Sequence, residues 1–109
     1  MLKNKKAIIT GGNQGIGRGI ALAMAQAGAD ILIQYRSSES LAMKTCNTIQ
    51  NLGREAFALQ ADFTQEKDTC NFIDKAIETL GGADILINCA AAYDLDFGHL
   101  SGQRELINQ

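Results

Sequence analysis

The chain has no proline, one histidine and three cysteines in 109 residues. The cysteines, Cys46, Cys70 and Cys89, are odd in number and widely spaced, which excludes a disulfide framework and a paired-cysteine metal motif. They read as small, partly apolar side chains, and no metal site is expected. A basic block is also missing. Ten Lys and Arg stand against twelve Asp and Glu, for a net charge of −2, so nucleic acid is not expected as a partner. Long apolar runs are absent as well. Behind Lys3, Lys5 and Lys6 comes only Ala7-Ile8-Ile9, too short for a signal-peptide core or a membrane span. No membrane partner is therefore expected, and a cytoplasmic location is the default. The lone His99 falls in a stretch without periodicity and reads as a polar surface group.

What is present is ordinary globular composition, 46% hydrophobic and 20% charged, in a chain long enough for one domain with a modest core. Its centre of organisation is Ile8-Ile9-Thr10-Gly11-Gly12-Asn13-Gln14-Gly15-Ile16-Gly17-Arg18-Gly19-Ile20. Five glycines fall within the nine residues from Gly11 to Gly19. An apolar run enters this stretch and an amphipathic helical pattern leaves it. A strand, a tight glycine turn and a helix N-terminus together form a corner that attracts an anion, because free N–H groups and the positive end of the helix dipole converge there.

The remaining pattern alternates. Strands are expected over 5–10, 30–35, 55–61 and 84–88, three of them centred on continuous apolar runs that suit strands buried on both faces. Helices are expected over 14–27, from Ser37 or Ser38 to 51, and from Thr64 to 80, with Ser and Thr as caps. Their apolar stripes are Ile16, Ile20, Ala23, Met24 and Ala27; then Leu41, Thr45, Ile49 and Leu52; then Thr69, Phe72, Ile73, Ala76, Ile77 and Leu80. A loop over 90–99 and the start of another helix over 100–109 follow. Four strands alternating with helices through short connections imply a parallel sheet with right-handed crossovers. The expected class is α/β, the first half of a Rossmann-like doubly wound sheet (βαβαβαβ, strand order 3-2-1-4).

The glycine spacing is Thr-Gly-x-x-x-Gly-x-Gly. It differs from the Gly-x-Gly-x-x-Gly dinucleotide pattern and lacks the Gly-Lys-Ser/Thr of a P-loop. With three further segments it resembles the short-chain dehydrogenase/reductase family. The segments are Gln34-Tyr35-Arg36-Ser37-Ser38 after strand two, Ala61-Asp62-Phe63 after strand three and Asn88-Cys89-Ala90-Ala91 after strand four. The resemblance spans essentially the whole chain and implies a dinucleotide site. In it Gly11 permits the turn, Gly15 and Gly17 allow close packing of pyrophosphate and helix, and Asn13, Gln14 and Ile16 lie along the cofactor. Asp62 and the Phe63 N–H receive the adenine. Asn88 and Ala90 line the ribose side, and Ala91 lies near the nicotinamide ribose.

Cofactor choice turns on the end of strand two. An NAD site commonly holds a carboxylate there, whereas this chain has Gln34-Tyr35-Arg36. Arg36 can pair with a 2′-phosphate, and Ser37 and Ser38 can add hydroxyl donors, so NADP(H) is favoured over NAD(H). Two departures from the family pattern stand at Cys89 and Ala91, where Asn and Gly are usual.

The family's catalytic Ser and its Tyr-x-x-x-Lys pair have no counterpart here, since Tyr35 is followed four residues later by Glu39 and Tyr93 by Phe97. The family's Pro-Gly segment beside the nicotinamide also lies downstream, in keeping with the lack of proline. Residues 1–109 are thus expected to be a partial NAD(P)-binding domain with no catalytic half. By resemblance the function is that of an NADP-dependent oxidoreductase acting on a small carbonyl or alcohol, in the style of 3-oxoacyl-carrier-protein reductases or glucose dehydrogenases. The chain alone is expected to be inactive. The alternative is a non-catalytic dinucleotide-binding or interaction protein that pairs through the edge of strand 84–88.

Overall fold

The computed structural model describes residues 1–89. The elements run β1 (Lys6–Thr10), α1 (Gly15–Gln26), β2 (Asp30–Tyr35), α2 (Glu39–Asn51), β3 (Ala56–Gln60), α3 (Glu66–Leu80) and β4 (Ile85–Asn88). All pairings are parallel and the sheet order is β3-β2-β1-β4. The expected loop over 90–99 and helix over 100–109 lie outside the described residues, as do Ala90, Ala91 and His99. Among the described residues no helix is long and apolar enough to cross a membrane.

The apolar runs of β1 and β2 are explained by layers on both sides of the sheet; that of β4 departs from the expectation, because among the described residues nothing covers its outer side and Leu86 is 56% exposed. Side chains alternate in direction along a strand. Ala7, Ile9, Ile31 and Ile33 point to one face, where they pack with Ala21 and Ala25 of α1 and Ala42, Cys46 and Ile49 of α2. Ile8 and Leu32 point to the other and meet Phe72, Ala76 and Leu80 of α3. Every one of these side chains is buried. At the bottom of the sheet Asp30 accepts hydrogen bonds from Arg54 Nη2 at 2.9 Å and the Glu55 N–H at 3.1 Å, fastening the start of β2 to the segment entering β3. Lys6 Nζ donates to the Leu80 carbonyl at 2.9 Å, placing a cation at the negative end of α3.

The helices turn differently from the expected stripes. In α1 the buried residues are Gly17, Ala21 and Ala25, while Ile16 and Ala23 are exposed. The reason is proximity: a Cβ on Gly17 would lie 2.2 Å from the Gly11 carbonyl oxygen, so the helix presents its smallest residues to the loop and sheet. In α2 the stripe is Ala42, Thr45, Cys46 and Ile49, with Leu41 and Leu52 exposed. In α3 Phe72, Ala76 and Leu80 are buried, whereas Ile73 and Ile77 lie at its exposed margin. The caps differ too. Ser38 is at the N-cap of α2 but makes no side-chain cap bond, and Gln65 rather than Thr64 precedes α3. Gly28 follows α1 with φ of 108°, left-handed backbone that ends the helix.

Candidate functional site

Parallel strands deliver all their carboxyl ends to one edge. Thr10 is level with Gln34 on one side and Asn88 on the other, and Tyr35 is level with Gln60. The four segments singled out in the sequence therefore gather at that edge, at least as far as Cys89. In parallel α/β sheets this is where ligands bind, at the crevice where strand order reverses, here between β1 and β4.

The glycines of the loop are required for two different reasons. Gly11 (φ 69°) and Gly15 (φ 60°) hold left-handed backbone that L side chains rarely adopt. Gly12 and Gly17 are small for space, with a Gly12 Cβ falling 2.5 Å from Ile33 Cγ2. Gly15 is neither crowded nor covered: nothing lies within 4 Å of where its Cβ would be. Around it Gln14 and Ile16 are exposed, Ile16 at 80%, while Asn13 is buried beneath them. Gly15 opens α1, whose first turn carries no acid, unlike α2 with Glu39 and α3 with Glu66 and Asp68. The positive end of α1 thus faces open space without a negative side chain of its own, which suits a phosphate.

Across β2 from this loop stands a charged pair. Arg36 Nε is 3.6 Å from Asp62 Oδ1, both side chains partly exposed. Asp62 Oδ1 also accepts hydrogen bonds from the Thr64 hydroxyl at 2.6 Å and the Thr64 N–H at 2.9 Å. These two bonds, joined by the nearby Arg36 guanidinium, outweigh partial burial and hold the Asp62 carboxyl below its usual range. Thr64, expected as a helix cap, is instead occupied with Asp62. The loop is held from below as well: the Asp62 N–H donates to Asp68 Oδ2 at 2.8 Å, and the Phe63 ring meets Phe72 edge-on with centroids 5.3 Å apart. Ser37 is exposed beside Arg36, just ahead of α2.

On the other side, the Thr10 hydroxyl donates to Asn88 Oδ1 at 2.7 Å and the Cys89 N–H to the Thr10 carbonyl at 3.1 Å. Asn88 is thereby bound to the residue that begins the glycine loop. Arg18, beyond the loop, is held by α2: its Nε donates to the buried Thr45 hydroxyl at 3.2 Å. Sequence reasoning missed Gln34. Its side chain is buried at the same edge, and the signal was a polar residue ending the run Ile31-Leu32-Ile33 in a central strand.

Compared with known proteins, residues 5–106 match the family model described as short chain dehydrogenase. The chain belongs to this family. The L-rhamnose 1-dehydrogenase (NADP(+)) of Thermoplasma acidophilum is 43% identical over 88 residues, covering 81% of this chain and 35% of that protein. The short-chain dehydrogenase/reductase homolog YusS of Bacillus subtilis is 40% identical over 88 residues, covering 81% of both chains. Among solved structures, a short chain dehydrogenase from Burkholderia cenocepacia in complex with NADP superposes with a TM-score of 0.75. It is 42% identical and matches over 78% of this chain and 35% of its own. The chain thus spans little more than a third of several curated relatives and most of the length of another. Parallel sheet, strand order and family agree on a Rossmann-like fold.

Proposed function

We propose that this chain is the NADP(H)-binding portion of a short-chain oxidoreductase. The glycine corner fits a pyrophosphate: Gly15 leaves room above an acid-free helix terminus, and Gly11, Asn13, Gln14, Ile16 and Gly17 frame it. Asp62 and Phe63 would receive the adenine, and Arg36 and Ser37 the 2′-phosphate. Asn88 and Ala90 would line the adenosine ribose side, and Ala91 would lie near the nicotinamide ribose. The nicotinamide, when bound, supplies the hydride acceptor or donor for an alcohol or carbonyl carbon. The residues of this chain bind and orient it. The acid–base group for that chemistry has no counterpart in the sequence, so turnover of a carbonyl or alcohol, including a 3-oxoacyl substrate, would draw its Ser and Tyr-x-x-x-Lys from another segment or chain.

The observation that carries the NADP(H) reading is Arg36, at the end of β2 where an NAD site commonly holds an acid, close beside Asp62. Binding of NADPH and NADH by the wild-type chain and by Arg36→Ala tests it. Loss of a charge-assisted contact to phosphate weakens NADPH by about 10- to 100-fold, while NADH changes by less than about two-fold. Equal weakening of both cofactors removes the 2′-phosphate role.

One observation supports a second reading, that of an interaction protein. Among the described residues the outer edge of β4 has no strand beside it, and Leu86 on that strand is 56% exposed. An apolar edge of this kind can pair with another chain, whether a second copy or one carrying the catalytic groups.

A further inference from the structure

The glycine loop and the Asp62 loop follow strands that do not touch each other; β2 lies between β1 and β3. One side chain spans the gap. Gln34 Oε1 accepts the Gly11 N–H at 2.8 Å, and Gln34 Nε2 donates to the Ala61 carbonyl at 2.7 Å. The side chain is 1% exposed and no buried side-chain polar atom among the described residues lacks a partner. The main chain runs alongside: the Gly11 N–H also reaches the Gln34 carbonyl at 3.0 Å, and the Ala61 N–H reaches the Tyr35 carbonyl at 3.0 Å.

The chemistry of the two partners dictates the residue. Gly11 N–H can only donate and Ala61 C=O can only accept, so the bridge must carry one acceptor and one donor, about two atoms apart, on a side chain long enough to reach both. A carboxamide does so in one orientation. A carboxylate would satisfy Gly11 but set a charge against the Ala61 carbonyl. An apolar side chain of the same length would leave both ends without this partner.

We infer that Gln34 is a positioning residue that fixes the distance between the pyrophosphate corner and the adenine/2′-phosphate loop, so that the two halves of one dinucleotide are received together. This rests on the dinucleotide reading above. Gly11 opens the corner and Ala61 immediately precedes Asp62, which is paired to Arg36. Holding both loops before the ligand arrives lowers the ordering cost of binding a molecule that touches both. A ligand that touches only one loop gains little from it.

That difference separates positioning from a merely structural role. The full chain and Gln34→Met are titrated with NADPH and with adenosine 2′-monophosphate, which reaches only the Arg36–Asp62 side. The expected result is a Kd for NADPH raised about ten-fold, with the monophosphate changed less than about two-fold. Equal weakening of both ligands, or no weakening of either, overturns the proposal. A second measurement needs no variant. In the wild-type chain, saturating adenosine 2′-monophosphate shifts the amide resonance of Gly11, two strands away, together with the side-chain amide of Gln34. A Gly11 resonance that stays in place overturns the coupling. A wild-type chain that binds the monophosphate but not NADPH overturns the dinucleotide reading itself, whereas NADPH binding equal in wild type and Gln34→Met overturns the clamp alone.

Discussion

Three glycines in one stretch give three different outcomes on replacement by alanine, and the geometry ranks them. Gly17→Ala puts a methyl group 2.2 Å from the Gly11 carbonyl oxygen and 2.8 Å from its carbon, both backbone atoms that cannot swing aside. Overpacking of this kind costs about 3 kcal/mol, against a gain of about 1 kcal/mol from replacing glycine within a helix. The net loss of about 2 kcal/mol lowers Tm by roughly 10 °C in a domain of this size. Gly15→Ala meets no atom within 4 Å, but its φ of 60° is unfavourable for a side chain, so it costs about 1 kcal/mol. Its methyl group enters the open space proposed for the pyrophosphate, and NADPH binding falls much further than stability does. Gly19→Ala also meets nothing within 4 Å, at a helical position with no positive φ. It gains about 0.5–1 kcal/mol and raises Tm by a few degrees. Thermal unfolding followed by circular dichroism gives the order Gly19→Ala, wild type, Gly15→Ala, Gly17→Ala. Titration with NADPH separates Gly15→Ala from the stability trend. A Gly17→Ala protein as stable as wild type would refute the close approach of α1 to the loop. A Gly15→Ala protein that binds NADPH normally would refute the pyrophosphate position.

Asp30 gives a pH-dependent prediction. Burial pushes its carboxyl up, but hydrogen bonds from the Glu55 N–H and Arg54, with the Arg54 charge, outweigh this and hold it below its ordinary 3.8. A carboxylate with a lowered folded pKa stabilises fully above its unfolded value and ceases to do so as pH falls through the folded one. Asp30→Asn therefore costs about 1–2 kcal/mol in urea unfolding at pH 7, and the gap from wild type closes below about pH 4. A gap independent of pH removes the ionic part of this argument. Thiol labelling at pH 8 follows burial: the exposed Cys70 reacts first, and Cys46, whose thiol burial pushes up to about 11, reacts only on unfolding. Rapid Cys46 modification in the folded chain would contradict its place on the sheet-facing side of α2. For the β4 edge, Leu86→Lys shifts sedimentation toward monomer if the chain pairs there; unchanged association sets that reading aside.

The strands and the boundaries of most elements were legible because buried parallel strands read as apolar runs, while the strand order followed from the doubly wound class that alternating strands and helices imply. Ile8, Leu32 and their neighbours are apolar in unbroken runs, and each run is followed by a glycine or polar loop. The helix faces were less legible. Periodicity weighs large apolar residues, and α1 puts its large ones outside. Ile16 is apolar and so falls in the expected stripe, yet it is exposed, while the contact face is Gly17, Ala21 and Ala25. Close approach favours the absence of a side chain, and a hydrophobicity pattern assigns no weight to absence. The same blindness affected α2, where Ala42 is buried and Leu41 exposed.

The site shows a related asymmetry. Residues that would meet a ligand stood out because they interrupt the pattern: glycines where a helix begins, Arg36 where an acid is common, Asp62 at a strand end. Residues that hold those groups in place were silent. Thr64 looked like a helix cap, and only geometry shows its hydroxyl spent on Asp62 at 2.6 Å. Gln34 looked like the polar end of a strand, and only the register, which puts it level with Thr10 and Leu59, reveals that it can reach both neighbouring loops. A supporting contact depends on which strand lies beside which. In this sheet β1 and β2 are neighbours but β3 and β4 stand at opposite edges. The side chains of a central strand are therefore the ones able to join loops far apart in sequence, and buried polar residues at its carboxyl end are where such supports should be sought.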